Sequence, residues 1–396
     1  MRRVAILGST GSIGRQALDV IARHPERFAI AALAANRSAD MLAEQAAAFG
    51  AALVSCGDDA TAQRCREALE TNLTRHLAPR VVAGDDGLRA AAVDSGADIV
   101  LAACDGVGAR DAVFAAVDAG TAVALANKEL AVAYGEALFA RARASSSSIL
   151  PVDSEHSAVF QCLIGEDRSD VRSVVLTASG GPFWELSESE LRAVTPEQAL
   201  RHPTWSMGRK NTIDSATFMN KGLEVIEASR FFSLRAEQID VVVHRQSVAH
   251  AFVTFVDGSV KSQLCAPDMR VPIGFALSYP ERLRDAVGEG PTRESIGLGA
   301  SRSALTFESV DNARFPCLRL AYQALERGGT YPAVLSSANE EAGRAFLEGR
   351  TRFTDIARLV REALEAHSGE PAGIPEIARA DEWARSYVRD AISSKV

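Results

Sequence analysis

The chain has 396 residues, of which 47% are hydrophobic and 24% charged, and its formal net charge at pH 7 is −8. This length predicts two or three domains with buried cores, and the negative charge argues against a general nucleic-acid binder, which would carry a basic surplus. The six cysteines form no CxxC pair, so we expect neither a zinc knuckle nor a disulfide framework, and a reduced cytoplasm is the simplest location. The apolar run after Arg3 is too short for a secretion signal, and no stretch reaches the roughly 18 apolar residues of a membrane span, so a soluble protein is expected.

The first predicted strand, Val4 to Leu7, leads into a turn with three glycines at 8–14, and a helical pattern follows to about Arg23. Strand, glycine turn and helix is the order that presents backbone N–H groups to the pyrophosphate of a dinucleotide. The spacing is GxxGxxG, whereas GxGxxG is the commonest form. A tight turn without a ligand is therefore the alternative.

The second predicted strand, Phe28 to Leu33, is followed by Asn36 and Arg37. An NAD enzyme usually has an acid here for the ribose 2′-hydroxyl, whereas an arginine suits a 2′-phosphate. The sequence therefore favours NADPH. Asp40 is the competing acid, although we expect it in the first turn of the next helix, and Arg37 could instead be a solvated charge at a helix end.

Further buried strands alternate with alanine-rich helical stretches and are predicted at 51–55, 80–83, 98–102 and 121–125. This alternation predicts an α/β domain with a Rossmann-like, doubly wound parallel sheet over residues 1–150. Asn127, Lys128 and Glu129 follow the last of these strands, where polar side chains face a ligand crevice. Asn127 could equally cap a helix, but a lysine at a helix N-terminus opposes the dipole and is harder to explain in that way.

The segment 149–156 begins as an apolar strand and ends in Asp153, Ser154 and Glu155. If the backbone is extended there, the two carboxylates point the same way and could share a cation. Their hard oxygen ligands favour Mg²⁺ or Mn²⁺ over zinc. The alternative is a helix N-terminus, with Asp153 or Ser154 as the cap and Glu155 in the first turn.

A strand predicted at 173–176 ends in a turn of small residues around Ser179, which could bind an anion through backbone N–H groups or only reverse the chain. The loop 201–210 has no helical or strand period, yet it contains His202, Trp205 and Met207. This mixture favours an active-site lid. A passive loop whose tryptophan packs on its own domain is the alternative.

A helical pattern begins at about Ser215 and places Asn220, Lys221 and Glu224 on one side. Lys221 and Glu224 could form a surface ion pair of little energetic value. The neighbouring residues are mostly apolar or small, however, and this leaves little of the helix to face water.

We expect four regions along the chain. After the first domain, a second α/β catalytic domain with the flap at 201–210 covers 151–284. The Gly-, Pro- and Ser-rich segment 285–311 is expected to be a linker, and the helical period of 312–396 predicts a C-terminal helical bundle.

Specific motifs occur along almost the whole chain: GSTGSIG at 8–14, LANKE at 125–129, PVDSEHSA at 151–158, TASGGPF at 177–183, HPTWSMGRK at 202–210, DSATFMNKGLE at 214–224, APDMRVPI at 266–273, ALTFESVD at 304–311, FPCLRLA at 315–321 and SSANEEA at 336–342. Together they resemble the 1-deoxy-D-xylulose 5-phosphate reductoisomerase family of the non-mevalonate isoprenoid pathway. The resemblance implies metal-dependent isomerisation of 1-deoxy-D-xylulose 5-phosphate to a branched aldehyde phosphate. Hydride delivery from NADPH then gives 2-C-methyl-D-erythritol 4-phosphate. The resemblance also implies a homodimer formed by the middle domain.

The resemblance also implies roles for individual residues. A divalent ion, Mn²⁺ or Mg²⁺, would be held by Asp153, Glu155 and Glu224, and these three acids together with Lys128 and His202 are the implied catalytic residues. Besides Lys128, Glu155 and Glu224, the implied substrate-binding residues are Ser154, Ser179, His202, Ser215, Asn220 and Lys221. NADPH contacts are implied for Thr10, Gly11, Ser12, Ile13, Ala35, Asn36, Arg37, Asn127, Glu129 and Gly208, and the implied flap residues are Trp205 and Met207.

Two departures and two rival classes remain at this stage. Thr204 stands where the family usually has asparagine, and the loop 35–37 lacks a glycine often found there, so either Asn36 or Arg37 could contact the 2′-phosphate. The rival enzyme is a two-domain NADP dehydrogenase of the homoserine or aspartate-semialdehyde type, which needs no carboxylate-bound metal. The rival of another class is a non-catalytic NADP-binding regulator.

Overall fold

The computed structural model describes residues 1–72, 78–205, 207–284, 286–287 and 304–394. It divides into two compact units, each built from separate stretches of chain. The first contains 1–130, 138–157 and 268–290, and the second contains 131–137, 158–267 and 291–396. No helix in the described ranges is both long enough and apolar enough to cross a bilayer.

A parallel sheet forms the core of the first unit. Within the described residues its strands are β1 (Arg2–Leu7), β2 (Phe28–Ala35), β3 (Leu53–Cys56), β4 (Arg80–Ala83), β5 (Ile99–Ala102), β6 (Ala122–Leu125) and β7 (Ile149–Pro151). Their spatial order is β4-β3-β2-β1-β5-β6-β7, and every neighbouring pair is parallel. The central strands are apolar on both faces because helices cover both sides of such a sheet.

Helices connect and follow these strands: α1 (Ser12–Arg23), α2 (Ala39–Phe49), α3 (Asp59–Asn72), α4 (Gly84–Val93), α5 (Arg110–Asp118), α6 (Lys128–Ser145) and α7 (Ser154–Cys162). In β7 the chain reaches the edge of the sheet. Pro151 is tolerated there because an edge strand does not need every N–H group for the ladder. The predicted Rossmann-like, doubly wound parallel sheet is therefore confirmed.

The second unit has a mixed sheet and short helices around it. The sheet comprises β8 (Val171–Ala178), β9 (Ile239–Val243), β10 (Ala249–Phe255), β11 (Val260–Leu264) and β12 (Glu308–Ser309), in the order β11-β10-β8-β9-β12. Within the described part of this sheet, β8 and β9 pair in parallel and the other neighbouring pairs are antiparallel. The helices between these strands are α8 (Glu188–Leu191), α9 (Pro196–Ala199), α10 (Arg209–Ala216) and α11 (Met219–Phe232).

A helical bundle completes the second unit, as the period of the sequence predicts. Its helices are α13 (Cys317–Arg327), α14 (Tyr331–Leu347), α15 (Phe353–Ala366) and α16 (Ile374–Ser393), after α12 (Arg270–Ser278) in the first unit. Their buried faces are rich in alanine and leucine, which permits close packing.

The segment 268–290 packs with the first unit, although the sequence assigned most of it to the catalytic domain. Hydrogen bonds from two arginines attach this segment to the first unit. Arg2 in β1 donates to Leu277 O at 2.9 Å and Tyr279 O at 3.0 Å, and Arg270 in α12 donates to Asp19 in α1 at 2.7 Å.

Most of the expected linker, 285–311, lies outside the described residues. Its last part is described, and there Glu308 and Ser309 pair with Val243 and Val242 of β9. This part of the segment therefore belongs to the sheet of the second unit.

Candidate functional site

The glycine turn of the first unit brings β1 and α1 very close together. Gly8 has φ +95°, and a Cβ there would lie 2.5 Å from Ala103 O. A Cβ at Gly14 would lie 2.3 Å from Gly8 O. α1 begins after Gly11 without a side-chain cap and without an acid in its first turn. Its helix dipole and terminal N–H groups, next to the implied contacts Thr10, Ser12 and Ile13, therefore suit an anion such as a pyrophosphate.

The end of β2 presents the residues expected to select the cofactor. Ala35 is buried, whereas Asn36 and Arg37 are exposed. The backbone of Asn36 is fixed because Gly57 N–H donates to its carbonyl oxygen at 3.0 Å. Asp40 lies in the first turn of α2, as expected, so Arg37 is the charged side chain nearest along the chain to the end of β2.

Asn127 caps α6, which was one of the two alternatives left by the sequence. Its Oδ1 accepts from Leu130 N–H at 2.7 Å, and its Nδ2 donates to Cys104 O and Gly106 O at 2.6 Å each. The amide therefore fastens the loop after β5 to the start of α6. Glu129 follows in the first turn and is buried.

Lys128 lies against an acid of the expected metal site. Its Nζ is 2.8 Å from Asp153 Oδ2, and the two side chains are only 12% and 14% exposed. This contact explains why a lysine is tolerated in the first turn of a helix, since a carboxylate compensates its charge.

The acidic segment is a helix start, so its extended alternative is wrong. β7 ends at Pro151, α7 begins at Ser154, and Ser157 N–H donates to Asp153 O at 2.8 Å. Asp153 and Glu155 therefore do not alternate along a strand. Ser154 Oγ donates to Glu155 Oε2 at 2.6 Å, which orients that carboxylate.

The sequence analysis gave no role to His156, and the structure places it beside Asp153. The imidazole is fully buried, and its Nδ1 is 3.8 Å from Asp153 Oδ2. The available signal was the i,i+3 spacing on a helix, which an extended segment would not have brought together. The donor set around Asp153 fits a divalent ion, because carboxylate oxygens suit Mg²⁺ and Mn²⁺ and an imidazole nitrogen is also a common metal ligand.

In the second unit, two serine hydroxyls distant in sequence meet at one imidazole. His202 Nε2 is 3.1 Å from Ser179 Oγ and 3.0 Å from Ser215 Oγ. The approach is possible because Gly181, with φ +67°, packs where a Cβ would be 2.8 Å from Ser215 O. The turn after β8, the flap and the end of α10 thus present two hydroxyls and a ring nitrogen to the same place.

Hydrogen bonds fix the tautomer of His202. Its Nδ1 accepts from the backbone N–H groups of Thr204 at 3.1 Å and Trp205 at 2.9 Å. The proton of a neutral ring must then be on Nε2, which faces the two serines. Burial lowers the pKa of His202 to about 4, so the ring is a neutral donor near pH 7 and is better suited to binding phosphate oxygen than to transferring a proton.

The helix expected from Ser215 is interrupted, and this prediction needs correction. α10 ends at Ala216, Phe218 has φ +62°, and α11 begins at Met219. The break separates Ser215 from Asn220, Lys221 and Glu224.

Three polar residues near the start of α11 form a hydrogen-bonded group with Glu224 at its centre. Asn220 Nδ2 donates to Glu224 Oε1, and Lys221 Nζ pairs with Glu224 Oε2. The Lys221 and Glu224 side chains are 6% and 2% exposed. The buried alternative is therefore confirmed and the surface ion pair is excluded.

The flap residues Trp205 and Met207 lie in the loop that connects α9 to α10. Trp205 and Met207 are half-buried, and the Trp205 ring centroid is 6.3 Å from that of His250. Gly208 is the exposed N-cap of α10. At the other end of the flap, Lys210 Nζ is 2.9 Å from Asp214 Oδ2.

These observations define the class as an α/β enzyme with a dinucleotide-binding sheet and a separate unit that can bind an anionic substrate. Family models for three parts of 1-deoxy-D-xylulose 5-phosphate reductoisomerase match the chain: the model of that name at 4–135, its C-terminal domain at 149–232, and the DXP reductoisomerase C-terminal domain at 264–387. The chain belongs to the 1-deoxy-D-xylulose 5-phosphate reductoisomerase family.

Similar proteins support this assignment over the full length. The reductoisomerase of Anaeromyxobacter dehalogenans is 51% identical and covers 100% of this chain and 98% of its own. That of Chlorobaculum tepidum is 48% identical over 99% and 100%. The Zymomonas mobilis enzyme, solved in complex with NADPH, is 39% identical, with a TM-score of 0.90 and 99% of each chain covered. A DOX-P reductoisomerase structure with NADPH, fosmidomycin and magnesium is 36% identical, with a TM-score of 0.91 over 99% and 98%.

Proposed function

We propose that this protein catalyses the NADPH- and divalent-metal-dependent isomerisation and reduction of 1-deoxy-D-xylulose 5-phosphate to 2-C-methyl-D-erythritol 4-phosphate, in the non-mevalonate isoprenoid pathway. Family membership over the whole chain supports the reaction. The observation in this molecule that carries the proposal is the convergence of Ser179, Ser215 and the neutral ring of His202 on one point, because this group of donors suits a phosphate.

The second unit holds the substrate phosphate in this proposal. The Ser179 and Ser215 hydroxyls and His202 Nε2–H donate to phosphate oxygens. Asn220 and Lys221 on α11 add an amide donor and a positive charge. Binding energy from this non-reacting end positions the carbons that rearrange.

The acids hold the metal at the reacting end. In this proposal the metal ligands are those that the family resemblance implies: Asp153, Glu155 and Glu224. When bound, a divalent ion supplies Lewis acidity to the neighbouring carbonyl and hydroxyl oxygens of the substrate. Ser154 and Lys128 orient these oxygens, and the positive charge of Lys128 lies beside Asp153.

NADPH binds the first unit in this proposal. Its pyrophosphate lies at the glycine turn with contacts from Thr10 to Ile13, and its 2′-phosphate lies at Ala35, Asn36 and Arg37. Asn127, Glu129 and Gly208 provide further contacts, and the cofactor supplies hydride to the aldehyde. Trp205 and Met207 of the flap exclude water from the site.

The decisive experiment follows NADPH absorbance with 1-deoxy-D-xylulose 5-phosphate as substrate, with Mn²⁺ and after removal of metal by EDTA. We expect oxidation only with metal present, its return when Mn²⁺ or Mg²⁺ is restored, and the methylerythritol phosphate as product. Full turnover in EDTA would favour the dehydrogenase alternative. Unchanged NADPH absorbance in the presence of both Mn²⁺ and 1-deoxy-D-xylulose 5-phosphate would refute the proposed reaction.

We also propose that the protein is a cytoplasmic homodimer assembled through the mixed sheet of the second unit. Exposed apolar residues lie at the two edges of this sheet: Val260 on the edge strand β11 is 55% exposed, and Phe307, directly before the edge strand β12, is 43% exposed. Exposed apolar side chains at a sheet edge favour pairing with another copy. The free state of all six cysteines agrees with a reducing compartment.

A further inference from the structure

A side chain of α2 holds the glycine turn of the first unit. Gln45 Nε2 donates to Ser9 O at 3.1 Å, and Gln45 Oε1 accepts from Ser9 Oγ at 2.7 Å. The orientation of the amide follows from chemistry, because a carbonyl oxygen can only accept and must therefore face the NH₂ group. Ser9 is fully buried and Gln45 is half-buried. One side chain thus binds both the carbonyl and the hydroxyl of Ser9.

The backbone N–H groups of the same turn are bound to β2. Gly8 N–H and Ser9 N–H both donate to Ala34 O, at 2.9 Å each. Ala34 lies near the end of β2, directly before the loop 35–37. The turn is therefore held by β2 through its N–H groups and by α2 through the Ser9 carbonyl. A rotation of the peptide between Ser9 and Thr10 would break the bond from Gln45.

The bond to the Ser9 carbonyl determines where Thr10 N–H points. Ser9 C=O and Thr10 N–H belong to one planar trans peptide, in which the two groups point in opposite directions. Because the carbonyl faces Gln45, the N–H group faces away from that side chain. No hydrogen bond of this N–H is formed within the described residues, and α1 begins two residues later without a side-chain cap. Thr10 N–H is therefore a donor that the turn leaves available.

We propose that Gln45 is a positioning residue for the dinucleotide, because its amide holds the Ser9–Thr10 peptide in the orientation that directs Thr10 N–H to the pyrophosphate. The inference deepens the proposed function and rests on the cofactor site of the first unit. A peptide that is oriented in advance does not have to be ordered when the cofactor binds, so less binding energy is lost. Gln45 acts on the cofactor through Ser9.

The alternative is a purely structural role, in which the amide only joins α2 to the end of β1. The two roles differ in the ligands that they affect. NADPH carries a pyrophosphate and a 2′-phosphate, whereas adenosine 2′-monophosphate carries only the 2′-phosphate. A positioning role predicts weaker binding of NADPH alone, and a general disturbance of the unit predicts weaker binding of both ligands.

Three substitutions isolate the bond from the amide to the carbonyl. Gln45→Met keeps the length of the side chain and removes both bonds to Ser9. Ser9→Ala removes only the hydroxyl, so Gln45 Nε2 can still donate to the carbonyl. Gln63→Met makes the same chemical change on α3, where Gln63 is exposed and donates to Glu67 Oε1 at 2.9 Å.

The test measures the dissociation constants of NADPH and adenosine 2′-monophosphate with the full-length protein, by fluorescence titration and calorimetry. Gln45→Met should weaken NADPH binding about tenfold, the effect of one strong hydrogen bond, and should change adenosine 2′-monophosphate binding less than about twofold. Ser9→Ala should keep NADPH affinity within about threefold of the natural protein. Gln63→Met should change neither constant.

Three results would overturn the inference: equal weakening of both ligands in Gln45→Met, unchanged NADPH affinity in that variant, and absence of NADPH binding by the natural protein. If Gln45→Met fails to fold, Gln45→Glu gives the same comparison, because its carboxylate still accepts from Ser9 Oγ but cannot donate to Ser9 O. Neither dissociation constant depends on turnover. Failure to convert the sugar phosphate would therefore refute the proposed reaction without imitating a failure of the positioning role.

Discussion

Lys221 and Glu224 are charged side chains within the interior of the second unit, one helical turn apart on α11. Removing two charges from water costs several kcal/mol per ion, and their contact offsets this cost only in part. A hydrophobic pair would stabilise the helix at least as well. We therefore infer that these charges serve the site, with Lys221 directed to phosphate and Glu224 to metal.

The first prediction at the residue scale concerns Glu224→Gln. The amide keeps the volume but removes the negative charge that a divalent ion requires, so Mn²⁺-dependent turnover should fall at least 100-fold, on the order of the effect of disturbing a metal site. NADPH binding, measured by fluorescence titration, should be unchanged. Glu341→Gln is the matched control, because Glu341 is also buried and paired at i,i+3 with Arg344. Near-normal turnover of Glu224→Gln would refute the assignment.

Arg37→Glu tests cofactor choice. A carboxylate at this exposed position would repel the 2′-phosphate, whose hydrogen bonds to arginine are worth about 1.5 to 3 kcal/mol, so KM for NADPH should rise about tenfold or more. KM for NADH should change little, because NADH lacks this phosphate. Arg143→Glu, an exposed arginine of α6, should affect neither constant. Equal effects on the two cofactors would leave Asn36 as the better candidate.

His202 should also produce a pH dependence of stability with a definite sign. Its folded pKa of about 4 lies below the ordinary value of 6.5. The unfolded chain therefore takes up a proton that the folded chain resists, and stability falls as pH decreases from about 6.5 to 4, with no change from this group above 6.5. The difference in free energy of unfolding between the natural protein and His202→Asn, measured with denaturant, should change with pH only in that interval. Curves that remain parallel down to pH 4 would contradict the neutral ring.

At the scale of elements, the break between α10 and α11 determines how the second unit presents its polar residues. Phe218 adopts positive φ, which is rare for an aromatic residue. Its ring packs 4.8 Å from Phe315 and 5.7 Å from Trp184, between ring centroids. The strain is therefore offset by burial, and Ser215 and Asn220 lie on separate helices.

The hydroxyl of Thr217 should be needed for this break. It donates to Ile213 O at 3.2 Å and accepts from Met219 N–H at 3.3 Å. Thr217→Val keeps the shape but removes both bonds inside the protein, so the free energy of unfolding should fall by about 1 to 3 kcal/mol. Thr217→Ser keeps the hydroxyl and should recover most of the lost free energy of unfolding, measured by denaturant titration. Equal stabilities of Thr217→Val and Thr217→Ser would show that the hydroxyl is not needed for the break.

The elements differ in how far the sequence reveals them. Buried parallel strands follow from short apolar runs, and the glycine turn follows from Gly8 and Gly14, because local sterics decide both. No glycine or proline in the sequence predicts the break at Phe218, because the break depends on aromatic rings from distant segments. Convergence of Ser179, His202 and Ser215 depends on loops, so no periodicity indicates it, and only the family resemblance grouped these residues. The helix start at Asp153 was one of two alternatives that local pattern left open.

At the scale of the whole molecule, the proposed dimer gives a prediction. Phe307 has an exposed ring that contacts Phe252 and His244. Phe307→Asp replaces this ring with a carboxylate, and burying that charge against a second copy would be costly. Sedimentation equilibrium should show a dimer for the natural protein and a shift to monomer for this variant. Met41→Asp, at a 38% exposed residue of α2 in the first unit, should leave the mass unchanged. A monomeric natural protein would refute the dimer.

The nucleotide-binding unit is interrupted in sequence, since α12 joins it only after more than a hundred residues of the other unit. During synthesis at about 5 to 20 residues per second, the sheet leaves the ribosome some 6 to 24 seconds before Arg270 can reach Asp19. A nascent chain stopped near residue 150 therefore exposes the surface of α1 that α12 later covers. Such a fragment should require a chaperone, and dividing the gene at that point should yield an aggregating half.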